Sequence, residues 1–476
     1  MDSIKEREKK RIIRVAITEG LMAVTIILLT IILLFVVQGY GINPSEGRIE
    51  RLGLVEFSSE PGGAVVSIDG NEIFFRTSTN RTLSAGKHEI VLSRAGYSSW
   101  AGEINVVEGM MYRTGARRLY KLEREVETVA SSVEASSAYV SPDRKIMLYW
   151  TEEGKCYILR TNEGDVTELP IEKPFEVVEI SGDHNKMLAK NADGDYVIIR
   201  IDKTAETINV TKNLGMNFDE VRSENASMER LLGLSNHQIF EINVVSAEAT
   251  ATTATDVASF VNYGSRIAYV SLPHSEMTSD GDNIVADRSV RELRTTEVGT
   301  LTSVALYQSA DLFSPRLIKI NEYYGDYYIA LAEGEEVKVF SGRWPDGKNT
   351  MKIVAEKTLG WTPAVVDNGG NGKTVVFQNG NSAAFFDAEE FRISDYDIAT
   401  MLSSEIGSAK IVSRGSLDGY SQYVVTEDGK LVAYDAEARN TFTLALNVKN
   451  LPITFSENGD FVYYFTEDRI ERQRIK

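Results

Sequence analysis

A short polar turn followed by an alternating apolar strand recurs eight times after residue 125, and this recurrence limits the possible folds more than any other feature of the chain. The turns centre on residues 154, 194, 236, 281, 334, 380, 429 and 468, with spacings of 39 to 53 residues and a mean of about 45. In one unit Glu153-Gly154-Lys155 precedes Cys156-Tyr157-Ile158-Leu159; in another Asp428-Gly429-Lys430 precedes Leu431-Val432-Ala433-Tyr434. Asn and Gly supply the positive φ of a tight hairpin, and apolar residues at every second position suit a strand. Units of several strands that repeat at about 40–50 residues predict a β-propeller. Eight turns predict eight blades, or seven if the weakest unit, at Asp280-Gly281-Asp282-Asn283, is an insertion. No long helical period interrupts the series; residues 396–405 suit a short helix.

The two ends of this region complement each other. After Ile453 there is room for only three strands, at 453–456, 460–466 and 469–475, whereas residues 125–132 form a strand that no unit claims. The expectation is that this early strand completes the last blade, which closes the ring and removes an open sheet edge.

Residues 21–37 read LMAVTIILLTIILLFVV, 17 residues without a charge. With Gly20 and Val15-Ala16-Ile17 the stretch reaches the ~20 residues that a bilayer span needs. A signal-peptide core is shorter, about 7–15 residues, and ends in small residues; Gln38-Gly39-Tyr40-Gly41 makes a poor cleavage site. The reading is an uncleaved signal anchor over residues 15–38, chosen over a cleaved signal peptide and a buried core helix. Lys5, Arg7, Lys9, Lys10, Arg11 and Arg14 against Asp2, Glu6 and Glu8 give the first fourteen residues a charge of +3. The whole chain carries −18, so the rest carries −21. Basic flanks stay on the cytoplasmic side. The expected protein is therefore a single-pass plasma membrane protein, with its N-terminus in the cytoplasm and everything after Tyr40 outside.

Residues 53–109 are rich in short alternating runs separated by turn signals: Pro61-Gly62-Gly63, Asp69-Gly70-Asn71, Ala85-Gly86-Lys87 and Ala95-Gly96-Tyr97. Five or six short strands in about 70 residues predict a β-sandwich. The series Ser59-x-Pro61-x-Gly63-Ala64-x-Val66, Ile68-Asp69-Gly70, Leu83-x-x-Gly86-x-His88 and Gly96-Tyr97 resembles the PEGA domain. Two positions depart from that pattern: Gly62 stands where the family has Glu, and Arg76-Thr77-Ser78-Thr79 lacks the usual Pro. The resemblance covers residues 53–122 and implies an extracytoplasmic β-domain of envelope and surface proteins, often an interaction module, without catalysis. In the repeat region, Ser141-Pro142-Asp143, Ser181-Gly182-Asp183 and Ser456-Glu457-Asn458 resemble the inner hairpins of WD40-like and TolB-like propellers.

The fold class expected is thus all-β with one N-terminal transmembrane helix. Its parts are a cytoplasmic tail (1–14), the anchor (15–38), a linker (39–52), a PEGA-like sandwich (53–122) and a propeller (123–476).

Candidate chemistry is sparse. One cysteine, Cys156, excludes an intramolecular disulfide and a Cys-rich zinc site, and on an alternating strand it suits a small core residue. Four histidines are too few and too scattered for a triad. No Gly-x-Ser-x-Gly elbow is present. Asp367-Asn368-Gly369-Gly370-Asn371-Gly372-Lys373-Thr374 ends like a phosphate-binding loop, but Asp367 stands where the first Gly belongs and a strand follows it. Asp280-Gly281-Asp282-Asn283 offers oxygen ligands for calcium, yet the twelfth position of an EF-hand count is Arg291. Trp100, beside a turn, suits either a sugar platform or packing on a sandwich strand, and packing is the commoner arrangement. No catalytic, cofactor-binding or metal-ligating residue is nominated, no cofactor is expected, and the binding residues are unknown. The acidic balance argues against nucleic acid. The expected function is a membrane-anchored, surface-exposed binding or scaffold protein with envelope protein or glycan partners. It would serve envelope organisation or attachment, with recognition at the channel mouth or top loops of the propeller. The alternative is a carbohydrate-active propeller enzyme with converging carboxylates.

Overall fold

The computed structural model describes residues 2–37, 39–42, 48–171, 175–201, 206–280, 283–309, 318–345, 350–368, 374–388, 391–417, 421–435 and 440–476. They fall into two compact units, 1–122 and 123–476.

Helix α1 (Asp2–Val37) opens the first unit, so the basic segment is helical as well. Its apolar stretch, Val15–Phe35, has none of its surface buried, which rules out a core helix. Its length and composition suit a membrane span and equally a signal sequence. The residues expected to be a plain linker instead begin and end in a small hairpin, β1 (Tyr40–Ile42) with β2 (Ile49–Arg51), in which Tyr40 faces Arg51.

Seven strands follow: β3 (Gly53–Glu60), β4 (Val65–Ile68), β5 (Asn71–Arg76), β6 (Thr79–Leu83), β7 (Gly86–Ser93), β8 (Trp100–Val106) and β9 (Met111–Arg118). They form two sheets, ordered β6-β3-β9 and β5-β4-β7-β8. The turn signals marked the hairpins, but the seven strands exceed the five or six expected; β9 pairs with β3 in parallel, and no turn joins them. The inward faces alternate as the sequence does: Val55, Phe57, Val66, Ile90 and Leu92 are fully buried. Trp100 is only 4% exposed and lies under the Arg117 guanidinium at 5.1 Å, which makes it a packing residue.

The second unit begins with β10 (Glu125–Ser131). Among the described residues it contains eight antiparallel sheets, numbered here as blades 1 to 8 in chain order. Each turn used to count units joins the second and third strands of a blade, except the one near residue 281. That one lies between strands His274–Asp280 and Asn283–Glu297, and residues 281 and 282 themselves lie outside the described residues. The first of these strands and the first half of the second form an extra hairpin within blade 4. The second half then pairs with Arg266–Ser271 and Val304–Ser309 as an ordinary blade strand. The fourth unit thus carries an inserted hairpin, which extends the five-stranded sheet of that blade and lengthens the spacing there.

Near-continuous apolar runs such as Ile146-Met147-Leu148-Tyr149-Trp150 follow from this architecture. Successive side chains leave opposite faces of a strand. Leu148 and Ile158 pack with Met187 and Val197 of blade 2, whereas Met147, Tyr149 and Leu159 pack with Tyr463 and Phe465 of blade 8. Six further junctions repeat the pattern. Shared cores join blades 2 and 3, 3 and 4, 4 and 5, 5 and 6, and 6 and 7. Tyr423 against Phe455, at 5.7 Å, links blades 7 and 8. Each blade is thus buried between its two neighbours, the arrangement of a β-propeller.

Blade 8 has the order β10, Arg469–Arg474, Phe461–Phe465, Thr454–Phe455. The early strand completes it, with Glu125 opposite Arg474 and Ser131 opposite Arg469. Short helices at Ile398–Met401 and Ser403–Ile406 replace the single helix expected over 396–405.

Candidate functional site

The first strands of the blades surround a central space with two lobes. One lobe, about 740 Å³, is walled by the first strands of blades 1 to 4 and the turns that follow them, with Lys319 from blade 5. The other, about 580 Å³, is walled mainly by blades 5 to 8 and by the turn of blade 1. Ser141, Pro142 and Lys319 border both, so the lobes belong to one channel.

The turns at the rim are built alike. Ser141 accepts the Ile146 N–H at 3.1 Å and donates to Asp143 Oδ1 at 2.7 Å, and Asp143 in turn accepts the Lys145 N–H at 3.2 Å. Ser181 and Asp183 repeat this, as do Ser456 and Asn458. The next residue takes positive φ in all three turns: Arg144 (63°), His184 (57°) and Gly459 (68°). Glycine is the ordinary occupant of that conformation, and a larger residue there marks a constraint. Both side chains have a task at the channel. Arg144 donates to the Leu417 carbonyl and lies over the Phe455 ring; His184 Nε2 meets Asp143 Oδ2 at 2.5 Å. Burial would raise the Asp143 carboxyl, but hydrogen bonds from Ser141, Lys145 and His184 outweigh it and hold the group below its usual value.

Charge in the larger lobe is arranged in pairs and singles. Glu220 pairs with Arg222 at 2.5 Å, and Lys319 with Asp367 at 3.1 Å. Glu179 accepts the Ser223 N–H at 3.0 Å, yet burial pushes its carboxyl above the usual range. Glu224 is pushed up too, by burial and then by Glu241, and its buried Oε2 has no hydrogen-bond partner among the described residues. The Tyr139 hydroxyl is raised to about 12 by burial and by Glu179. Two carboxyl groups from adjacent blades, both held above the usual carboxylate range, therefore share the lobe with cationic and hydroxyl groups. Such a surface suits a polar, hydroxyl-bearing or charged ligand.

The sequence placed recognition at the channel mouth but named no residue there. Glu179 and Glu224 carried no visible signal among 69 acidic residues. The Ser-x-Asp turns were visible and do border the channel. The phosphate-loop lookalike lies between paired strands Val365–Asn368 and Thr374–Asn379, with residues 369–373 outside the described residues. No cluster of three or more metal-ligating side chains occurs among the described residues. Cys156 is fully buried, and burial pushes its thiol up to about 12, as for an inert core residue.

In the first unit the motif positions act together. Asp69 (φ 50°) and Gly70 (φ 78°) form the tight turn between β4 and β5. Asp69 Oδ2 meets His88 Nδ1 at 2.6 Å, and its Oδ1 accepts the Glu89 N–H at 2.9 Å. The other side of the His88 ring lies 3.0 Å from the Ser84 carbonyl. The motif is thus a clamp between β4 and β7.

Residues 52–117 match the PEGA domain. The matched segment spans β3 to β9, so the PEGA unit is the sandwich described above. No curated protein matches the sequence. The propeller is similar to the C-terminal WD40 domain of Sif2, at 12% identity and TM-score 0.46, over 74% of this chain and 98% of that one. It is also similar to the computationally designed Ika8 protein (9%, 0.43, 74% and 100%) and to an oligogalacturonate lyase in complex with manganese (9%, 0.40, 74% and 98%). At these values the likenesses say nothing of ligand or activity; the propeller rests on its sheet order and shared cores.

Proposed function

We propose that the chain is a membrane-anchored binding or scaffold protein. Helix α1 holds it in the plasma membrane with the N-terminus inside, and the PEGA unit and propeller lie outside. The propeller channel receives a polar ligand, either a glycan or a segment of an envelope protein. The parts of the chain are then a cytoplasmic tail (1–14), the anchor (15–38), a connecting segment (39–52), the PEGA unit (53–122) and the propeller (123–476). The observation that carries this reading is the 740 Å³ lobe, in which charged and hydroxyl side chains from five blades face one space. A cavity of that size lies in the range of ligand sites.

The test is capture from envelope extracts and glycan arrays by the full chain in detergent. Glu224→Arg, which places a fixed cation on the wall, is expected to abolish capture, while circular dichroism shows that the chain stays folded. Equal capture by both proteins removes the channel from the proposal. The orientation is tested by protease added to intact cells. Loss of a C-terminal tag and survival of an N-terminal one support it, and a protected C-terminus reverses it.

A second reading, a carbohydrate-active enzyme, is favoured by the raised carboxyls of Glu179 and Glu224 in one lobe. A proton-holding acid is what glycoside cleavage needs. Glycan cleavage that is lost in Glu179→Gln, with binding retained, would decide for it.

A further inference from the structure

We propose that the turn joining β8 to β9, residues 107–110, rests in the headgroup layer of the same bilayer that holds α1. The PEGA unit would then dock on lipid rather than hang from a loose tether. The proposal rests on reading α1 as an anchor, and it adds a second, separate contact with the membrane.

The argument begins with connectivity. Helix α1 ends at Val37. Two residues later, the Gly39 carbonyl accepts the Leu52 N–H at 2.8 Å. The Leu52 carbonyl accepts the Gly109 N–H at 3.1 Å, and Leu54 N–H donates to the Met110 carbonyl at 2.9 Å. The turn is therefore two lateral backbone steps from the helix end. Backbones bonded side by side lie about 4.8 Å apart, so the separation is on the order of 10 Å. Two glycines permit this close approach. A Cβ on Gly53 would lie 2.4 Å from Val106 Cγ1 and 2.8 Å from the Val107 carbonyl oxygen. A Cβ on Gly109 would lie 2.5 Å from the Arg51 guanidinium carbon.

The side chains presented there are apolar and uncovered. Val107 is 56% exposed, Met110 62% and Met111 49%. Three such residues within five would be an odd choice for a turn facing water, whereas a few apolar groups at a bilayer surface gain by partial burial. Tyr40, whose ring lies 5.4 Å from that of Phe35, sits where aromatic residues mark a bilayer interface. Among the charges nearby, Arg48 and Arg51 favour lipid phosphate, whereas Glu50 and Glu108 oppose it, so apolar contact rather than net charge must supply the attraction.

The opposite end of the sheet provides an internal control. Gly86 pairs with Val106, whereas Leu92 pairs with Trp100, so the exposed β7–β8 turn at Ala95 lies about 20 Å further along the strands. The experiment labels Met110→Cys, Met111→Cys, Ala95→Cys and Leu28→Cys, each in the full chain, with an environment-sensitive fluorophore. The proteins are held in nanodiscs of phosphatidylcholine and phosphatidylglycerol; native Cys156 is buried and stays unlabelled while the chain is folded. Brominated lipid is expected to quench the labels at 110 and 111 at least twofold more than the label at 95, and aqueous iodide to show the reverse. If 110 and 111 behave like 95 while 28 is quenched by lipid, the anchor stands and the docking proposal falls. Labels at 110 and 111 shielded from both quenchers would mean that protein covers the turn, which also overturns it. A label at 28 that lipid does not quench removes the anchor and the proposal together.

Discussion

The PEGA unit and the propeller are both built of short strands and tight turns, but they hold together differently. In the sandwich the first strand, β3, lies between β6 and β9, so the two ends of the domain pair in its middle. Its buried residues come from β3, β4, β7, β8 and β9, strands of both sheets. In the propeller each core is shared by two neighbouring blades only, and the chain ends meet at one place, the pairing of β10 with Arg469–Arg474. Cohesion is therefore distributed in the first unit, and in the second it depends on a single closure.

The largest effect should come from opening that closure. A fragment beginning at Ser136 lacks β10 and about six ladder bonds, at about 0.5–1.5 kcal/mol each. The loss, on the order of 3–9 kcal/mol, is comparable to the ~5–15 kcal/mol that keeps a domain folded. This fragment should be far less soluble, and melt lower, than one beginning at Arg124; equal melting would show that the closure does not matter. In the sandwich, a single turn should cost less. Gly96 has φ 82° with open space around it, so Gly96→Val strains only the backbone. We expect a loss of about 1–2 kcal/mol in the unit's unfolding transition, and no change would break the assignment of that turn.

The Asp69 clamp should give a smaller and pH-dependent effect. Burial raises the carboxyl, but the hydrogen bonds from His88 and Glu89 outweigh it and hold it below the ordinary value of 3.8. A group depressed on folding adds stability above its unfolded value, and that stability is lost as the pH falls through the folded one. Asp69→Asn should therefore lower the melting temperature above about pH 4, and the gap should close below it. A gap that persists in acid would mean that the carboxylate is not the source. The smallest effect belongs to the closure again. Glu127 pairs with Arg472 at 2.6 Å, but its side chain is 57% exposed. Glu127→Gln should cost no more than about 0–1 kcal/mol by denaturant unfolding, since solvent screens such pairs. A larger loss would shift the closure from backbone ladder to charge.

How much of this was legible in the sequence depended on whether the signal was local. Hairpin turns carry their own residues, so Gly154, Gly194 and Gly429 marked the second-to-third strand connections directly. The closing strand was legible by subtraction, because three strands after Ile453 left a place for a fourth. The parallel pairing of β3 with β9 was not, since strands that meet without a turn leave no local mark. The hairpin within blade 4 imitated the repeat because its tip has the same chemistry as a blade turn. In the channel, the Ser-x-Asp turns were visible as motifs. Glu179 and Glu224 were not, because what distinguishes them is burial and the neighbours brought by adjacent blades.

The position of β10 also has a consequence in time. Its partner strand lies some 340 residues later in the chain. At a synthesis rate of about 5–20 residues per second, β10 waits roughly 17–70 s before the strand at Arg469–Arg474 exists. During that wait it is an unpaired edge, the kind of segment that recruits wrong partners. Its sequence, Glu125-Val126-Glu127-Thr128, alternates acids with β-branched residues, and both acids later meet Arg474 and Arg472. Charged side chains on an edge strand oppose wrong pairing, so the carboxylates that add little to the finished ring suit a clasp that must wait for its partner.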